Sequence, residues 1–274
     1  QMGTSQRISL LEACVRAVED GSSPDAEAVS RGLQRLASLV SSAVVPGSSP
    51  HRLLRVGATT NVRYERDLWR GSRFDGGFAE AVAQARTLEH LADGRVTLAG
   101  PEPTLLTWLP ELISVLRDRN ARVEVLTYGR MLTYPRYAAQ LLAAGVRQVS
   151  ILLHSHRAEV HDRAVHVPGA FQQATSGLAQ LARLGRSSGA RTAVVGVLGP
   201  ENLGDLELLV DLALDLGAAE LRLAAPLANL ELATLDALAD EAAAVLSRAR
   251  ESGLAAGLDP HLSLVWVGGD GPGA

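Results

Sequence analysis

Val96-Thr-Leu-Ala-Gly-Pro-Glu-Pro-Thr104, VTLAGPEPT, runs a β-prone segment into a bend where a carboxylate sits between two prolines. Pro101 and Pro103 fix φ and remove two N–H donors, so the bend is stiff. Beyond it Leu105, Leu109, Leu112 and Leu116 recur at helical spacing, one apolar stripe for a helix over 106–119. The stretch reads as one β-α unit with Glu102 at the handover.

Outward from that unit the same alternation repeats. Short β-branched or leucine runs fall at 53–56, 96–98, 123–126, 149–153, 192–198 and 220–224. Helical periodicity follows at 78–91, 106–119, 135–144, 170–186 and 203–216, with Gly145 and Gly217 where C-caps belong. Six β-α units in series predict an α/β fold with a parallel sheet and helices outside it. A partial barrel and an open doubly wound sheet both satisfy the pattern, and both place sites at the carboxyl ends of the strands.

The flanks differ. Residues 1–50 read as an N-terminal helical extension of two helices and a linker, VPGSSP. Residues 51–228 hold the six units. Residues 229–274 add a helix near 231–251, a strand near 262–267 (LSLVWV) and a glycine-rich tail.

Composition narrows the function classes. The 274 residues are 47% hydrophobic, which supports a large core, and the formal net charge of -4 supplies no broad cationic field for nucleic acid or acidic membrane. All 26 basic residues are arginine, a composition that points to a GC-rich genome of bacterial type. Cys14 is the one cysteine, so neither an internal disulfide nor a cysteine metal cage is available. The polar start at Met2–Arg7 has no apolar signal core, and no apolar run is long enough to span a bilayer. The expectation is a soluble, cytoplasmic protein.

The strand-end segments, taken in order, carry more. After the first strand come Gly57–Asn61 and VRYERDLWR (62–70); after the second, AGPEPT; after the third, Thr127-Tyr-Gly-Arg130; after the fourth, His154-Ser-His156. This series resembles the radical S-adenosylmethionine superfamily over roughly residues 52–226. AGPEPT resembles that family's Gly-Gly-Glu-Pro-Thr motif with Pro101 in place of the second glycine. Thr127-Tyr-Gly-Arg resembles its Thr-Asn-Gly-Arg with Tyr128 for asparagine. VSILLHSHRAEVHDRAVHVPGAFQQATSGLAQL (149–181) resembles its fourth strand and following helix.

The resemblance implies a partial (β/α)6 TIM-like barrel, and it places Gly100, Pro101, Glu102, Thr127 and Ser155 around bound S-adenosylmethionine. Glu102 is the first choice for a binding residue aimed at the barrel mouth. Asn61, Arg63, Arg66, His154, His156 and Asp162 are further mouth candidates. Arg63 and Arg66 can receive a carboxylate or phosphate; the alternative is that they face solvent or pair with Glu65 and Asp67.

The resemblance stops at the chemistry. Family members hold a four-iron cluster with Cys-x3-Cys-x2-Cys after the first strand, and cluster irons need thiolates. At the best register those positions here are Val62, Arg66 and Trp69. No iron–sulfur cluster and no radical reaction by this chain alone are therefore expected, and S-adenosylmethionine loses its usual iron anchor.

Four of the seven histidines, His154, His156, His161 and His166, fall within thirteen residues. With Asp162 they have zinc- or iron-type donor chemistry. The resemblance accounts for His154, His161 and Asp162 without metal, so no metal site is assigned. Ser155 lacks the Gly-x-Ser-x-Gly elbow of a nucleophile. Trp69 and Trp108 read as packing residues.

Two functions remain. The first is a non-radical partner or binding protein that presents a peptide or small molecule to a cluster-bearing enzyme, with the N-terminal helices as its contact. The second is an enzyme that runs transfer or acid–base chemistry with Glu102, His154, His156 and Asp162 in one cavity. Cluster cysteines supplied by another chain are a third arrangement, with no positive sign in the sequence.

Overall fold

The computed structural model describes residues 31, 32, 34–36, 38, 39, 51–62, 76–88, 94–199, 202, 204–224 and 235–258. Its frame is one parallel sheet of seven strands in chain order: β1 (His51–Arg55), β2 (Arg95–Ala99), β3 (Arg122–Thr127), β4 (Gln148–Leu153), β5 (Arg191–Val197), β6 (Glu220–Ala224) and β7 (Ala255–Leu258). The connecting helices are α1 (Phe78–Thr87), α2 (Leu109–Arg117), α3 (Pro135–Ala144), α4 (Ala158–Val165), α5 (Ala170–Ser188), α6 (Leu208–Asp215) and α7 (Leu235–Glu251). Each strand pairs parallel with the next, as in Arg55 with Ala99 and Leu98 with Val125. A curled half-barrel results.

Strand parity divides the core. Outward residues such as Leu54, Leu98, Val125, Ile151, Val194 and Leu221 join the leucine and alanine stripes of the helices in one large apolar cluster. Inward residues Ala99, Leu126, Leu152, Val195 and Ala224 form a smaller second cluster, with Leu53 against it. Gly145 and Gly217 lie in the left-handed region at φ 100° and 70°, just past α3 and α6, where a C-terminal glycine is needed.

The inner face also holds charge. Arg222 of β6 ion-pairs with Glu124 of β3, the two being 7% and 1% exposed, and its Nε lies 3.3 Å from Glu220. Ser150 donates to Glu124 Oε1 at 2.5 Å and Thr97 donates to Oε2 at 3.1 Å. Four strands are tied together through one carboxylate.

The sheet gains a strand that no β-prone run announces. β7, Ala-Ala-Gly-Leu, has no β-branched residue and joins the sheet beside β6. The strand expected at 262–267 lies outside the described residues, as do residues 1–30 of the N-terminal extension. The stretch between β4 and α5, where no helical periodicity is read, contains α4, an eight-residue helix that buries Val160, His161 and Val165.

Within 31–39 the described residues are helical and lie on the start of α7. A Cβ at Gly32 would stand 2.7 Å from the Asp236 nitrogen. Arg35 donates to Asp236 at 2.8 Å and also binds Asp240. This part of the extension meets α7 of the same chain.

Candidate functional site

The loops at the carboxyl ends of β1 to β5 form the mouth. Its tightest contact is backbone on backbone: a Cβ at Gly100 would lie 2.1 Å from the Val56 carbonyl oxygen, so only glycine fits where the β1 and β2 ends meet. Pro101 follows, half-buried.

Glu102 is 1% exposed, and both its oxygens are engaged within the fold. Oε1 accepts from the Thr104 N–H at 3.0 Å, the Thr104 hydroxyl at 2.5 Å and the Thr127 hydroxyl at 2.6 Å. Oε2 accepts from the Tyr128 N–H at 3.0 Å. The carboxylate caps the short 3-10 turn Pro103–Leu105 and ties it to the end of β3. Burial pushes this carboxyl above its usual range, and the donors from Thr104, Thr127 and Tyr128 oppose that shift. Thr127, in turn, accepts from the Gly129 N–H at 2.9 Å, so its hydroxyl is occupied by the turn it starts.

Tyr128 is buried to 3% on the inner face. Its ring stacks on His154 with centroids 6.4 Å apart and planes 15° apart. His154 meets His161 at 5.7 Å, and His161 meets Phe171 of α5 at 5.9 Å, giving a ladder of four rings from β3 to α5. The His154 N–H donates to His161 Nδ1 at 3.2 Å, which fixes His161 as the neutral tautomer with its proton on Nε2. Asn202 donates to the carbonyls of His154 and Val197 at 2.6 and 2.7 Å and accepts from the Gly199 N–H, locking the ends of β4 and β5 together.

Burial lowers the His161 pKa to about 4, while the charge of Asp162 acts the other way. Between about pH 6.5 and 4 the unfolded chain then binds a proton that the folded chain refuses. The stability from a neutral His161 is fully present above pH 6.5 and is lost as pH falls toward 4. Chemical denaturation at pH 7 and pH 4.5 should show a loss on the order of 2–3 kcal/mol from this residue. His161→Asn should abolish that share of the acid sensitivity.

Asp162 and Ser155 also serve the backbone. Asp162 accepts from the Gly169 N–H at 2.5 Å and the Phe171 N–H at 2.7 Å, so its carboxylate caps α5. Ser155 Oγ accepts from the Arg157 N–H at 3.0 Å. Among the described residues no group of three histidine, cysteine, aspartate or glutamate side chains could hold a metal ion.

The structure thus brings Glu102 and Thr127 together and joins His154 to His161. Among the described residues the hydrogen bonds of Glu102 and Asp162 go to Thr104, Thr127, Tyr128, Gly169 and Phe171, not to His154 or His156. Asn61 lends its carbonyl to Arg130, which also donates to Gln173 at 2.7 Å. Asn61 Oδ1 and His156 Nδ1 are buried with no hydrogen-bond partner among the described residues. Arg63, Arg66 and Trp69 lie outside the described residues. Trp108 packs on Phe78 with ring centroids 6.0 Å apart.

Sequence reading missed Tyr128, Asn202 and Arg130 as organisers of the mouth. Strand parity was the available signal for Tyr128, because it continues the inward series Glu124, Leu126. Val62, at the first cluster-ligand register, is 4% exposed and packs in the inner apolar cluster that includes Ala99, Leu126 and Tyr128. A buried isopropyl group offers no ligand to iron, and no cysteine is among the described residues, so the described residues do not fit the cluster.

The family model described as the radical SAM superfamily matches residues 69–213. An AdoMet-dependent heme synthase of Methanosarcina barkeri is 31% identical over 121 residues, covering 44% of this chain and 33% of that protein. The protein of the same name from Nitratidesulfovibrio vulgaris is 30% identical over 102 residues, covering 37% and 28%. The chain spans about a third of the length of these curated relatives. Among solved structures, SuiB of Streptococcus suis bound to precursor peptide SuiA aligns with a TM-score of 0.57 at 14% identity, over 88% of this chain and 55% of that one. SuiB bound to S-adenosylmethionine gives 0.56 at 13% identity, over 88% and 54%. At such identities the likeness concerns the fold. No helix among the described residues is long and apolar enough to cross a membrane.

Proposed function

The chain belongs to the radical SAM superfamily, and from that premise we propose that it is a member without a cluster of its own, a non-radical binding protein that presents a peptide or small molecule to a catalytic partner. One observation carries the reading. The position that should supply the first cluster thiolate is Val62, buried in the inner apolar cluster, in a chain whose one cysteine is Cys14.

The family's cluster supplies an electron and an open iron to S-adenosylmethionine, and neither function has a ligand set here. The mouth residues instead hold the strand ends in place: Glu102 and Thr127 between β2 and β3, Asn202 between β4 and β5, Arg130 between the β1 loop and α5. A barrel with a rigid rim suits binding. If S-adenosylmethionine enters, the AGPEPT loop has main chain to offer it, since the Glu102 oxygens are already engaged. SuiB, which shares the fold, binds a precursor peptide, and the sequence relatives are named heme synthases. Both names point to ligands larger than a metabolite of a few atoms.

The alternative of acid–base or transfer chemistry needs a carboxylate and an imidazole facing one cavity. Glu102 is hydrogen-bonded into a turn and Asp162 onto the start of α5, which does not favour it. The test is turnover. After anaerobic treatment with iron and sulfide, the chain should leave S-adenosylmethionine intact in the presence of dithionite. Reductive cleavage at a rate proportional to protein would sink the proposal.

A further inference from the structure

Arg55 is the last residue of β1, at the carboxyl end where the mouth opens. Parity places its side chain on the inner face. Leu53, two residues earlier, packs against the inner cluster, whereas Leu54 and Val56 belong to the outer one. Across the ladder Arg55 stands beside Ala99, whose methyl leaves the guanidinium room.

Three other arginines built into the fold have acceptors. Arg222 has Glu124, Arg130 has Asn61 and Gln173, and Arg119 has the carbonyls of Ala85 and Leu88. Arg55 is half-buried and makes no hydrogen bond or ion pair among the described residues. Partial burial lowers its pKa, and among the described residues no neighbouring carboxylate raises it again. A guanidinium withdrawn from water without an anion destabilises the fold unless something else compensates. Two more polar atoms of the mouth loops, Asn61 Oδ1 and His156 Nδ1, are buried and have no hydrogen-bond partner among the described residues.

We infer that Arg55 is an anchoring residue of the mouth and receives an oxyanionic group, carboxylate or phosphate, of the presented ligand. This rests on the reading of the chain as a binding member. The planar guanidinium can grip either group through two parallel N–H donors, a geometry lysine does not offer. Asn61 and His156 add polar atoms to the loops that follow β1 and β4.

Thermal unfolding of the wild-type chain and of Arg55→Met tests the inference, in sodium chloride, sodium glutarate and sodium phosphate at matched ionic strength. The wild type should gain about 2–5 °C over chloride in at least one oxyanion, at concentrations well above its dissociation constant. Arg55→Met should lose that gain and melt no lower than the wild type in chloride. A gain confined to glutarate identifies a carboxylate ligand, and one confined to phosphate a phosphate ligand. Equal gains in both proteins would reduce the effect to general salt stabilisation and overturn the inference. So would a variant that melts lower in chloride, because Arg55 would then be part of the packing. Neither outcome touches the cluster-free reading, which stands or falls on iron uptake and on cleavage of S-adenosylmethionine.

Discussion

Replacing Arg222 by methionine should lower folding stability by about 3–5 kcal/mol. The guanidinium sits inside the half-barrel at 7% exposure and neutralises Glu124 at 1%. It also donates to Ser150 Oγ at 2.5 Å, so its loss disturbs β3, β4 and β6 together. A carboxylate kept in that interior without its guanidinium must be desolvated as a charge or take up a proton. The second half of the test is a compensating change. The pair Arg222→Met and Glu124→Gln should recover most of the loss, because Gln removes the charge, keeps one oxygen to accept from one hydroxyl and offers its NH2 to the other, which can turn to accept. Urea unfolding of the two single variants and the pair closes the cycle, and the coupling should exceed about 1 kcal/mol for groups in direct contact.

Glu102→Ala should cost a comparable amount, about 3–5 kcal/mol. It removes the acceptor for the main-chain N–H groups of Thr104 and Tyr128, both in a buried setting, and for two threonine hydroxyls. The hydroxyls, 3.5 Å apart, can turn toward each other, but the N–H groups cannot move. Glu102→Gln keeps one oxygen and sets an NH2 against donors on the other side, so it should fall between the wild type and Glu102→Ala. If Glu102 served a ligand and not the fold, Glu102→Ala would unfold at the wild-type denaturant concentration and fail only in binding.

That contrast marks where the sequence was informative. The β-α alternation placed β1 to β6 to within a residue or two. This worked because parallel strands buried on both faces read as continuous apolar runs. β7 escaped because Ala-Ala-Gly-Leu has no β propensity, and its place is set by pairing with β6. α4 escaped because its eight residues show polar AEVHDRAV, and only the fold buries His161. The AGPEPT motif was legible as a feature, but the direction of the Glu102 side chain was not. Its partner Thr127 lies 25 residues away, and contacts over such separations leave no local pattern. The same holds for the Arg222 and Glu124 pair, 98 residues apart. Arg55 could have been singled out by parity with Leu53, had the inner face been known in advance.

The proposed function requires that this chain hold no cluster of its own. Anaerobic reconstitution with ferrous iron and sulfide, followed by desalting and iron and sulfide analysis, measures it directly. The prediction is a protein without the broad visible absorption of a cluster and with iron far below one cluster per chain. Retention of about four iron and four sulfide per chain, the content of one [4Fe–4S] cluster, would contradict it.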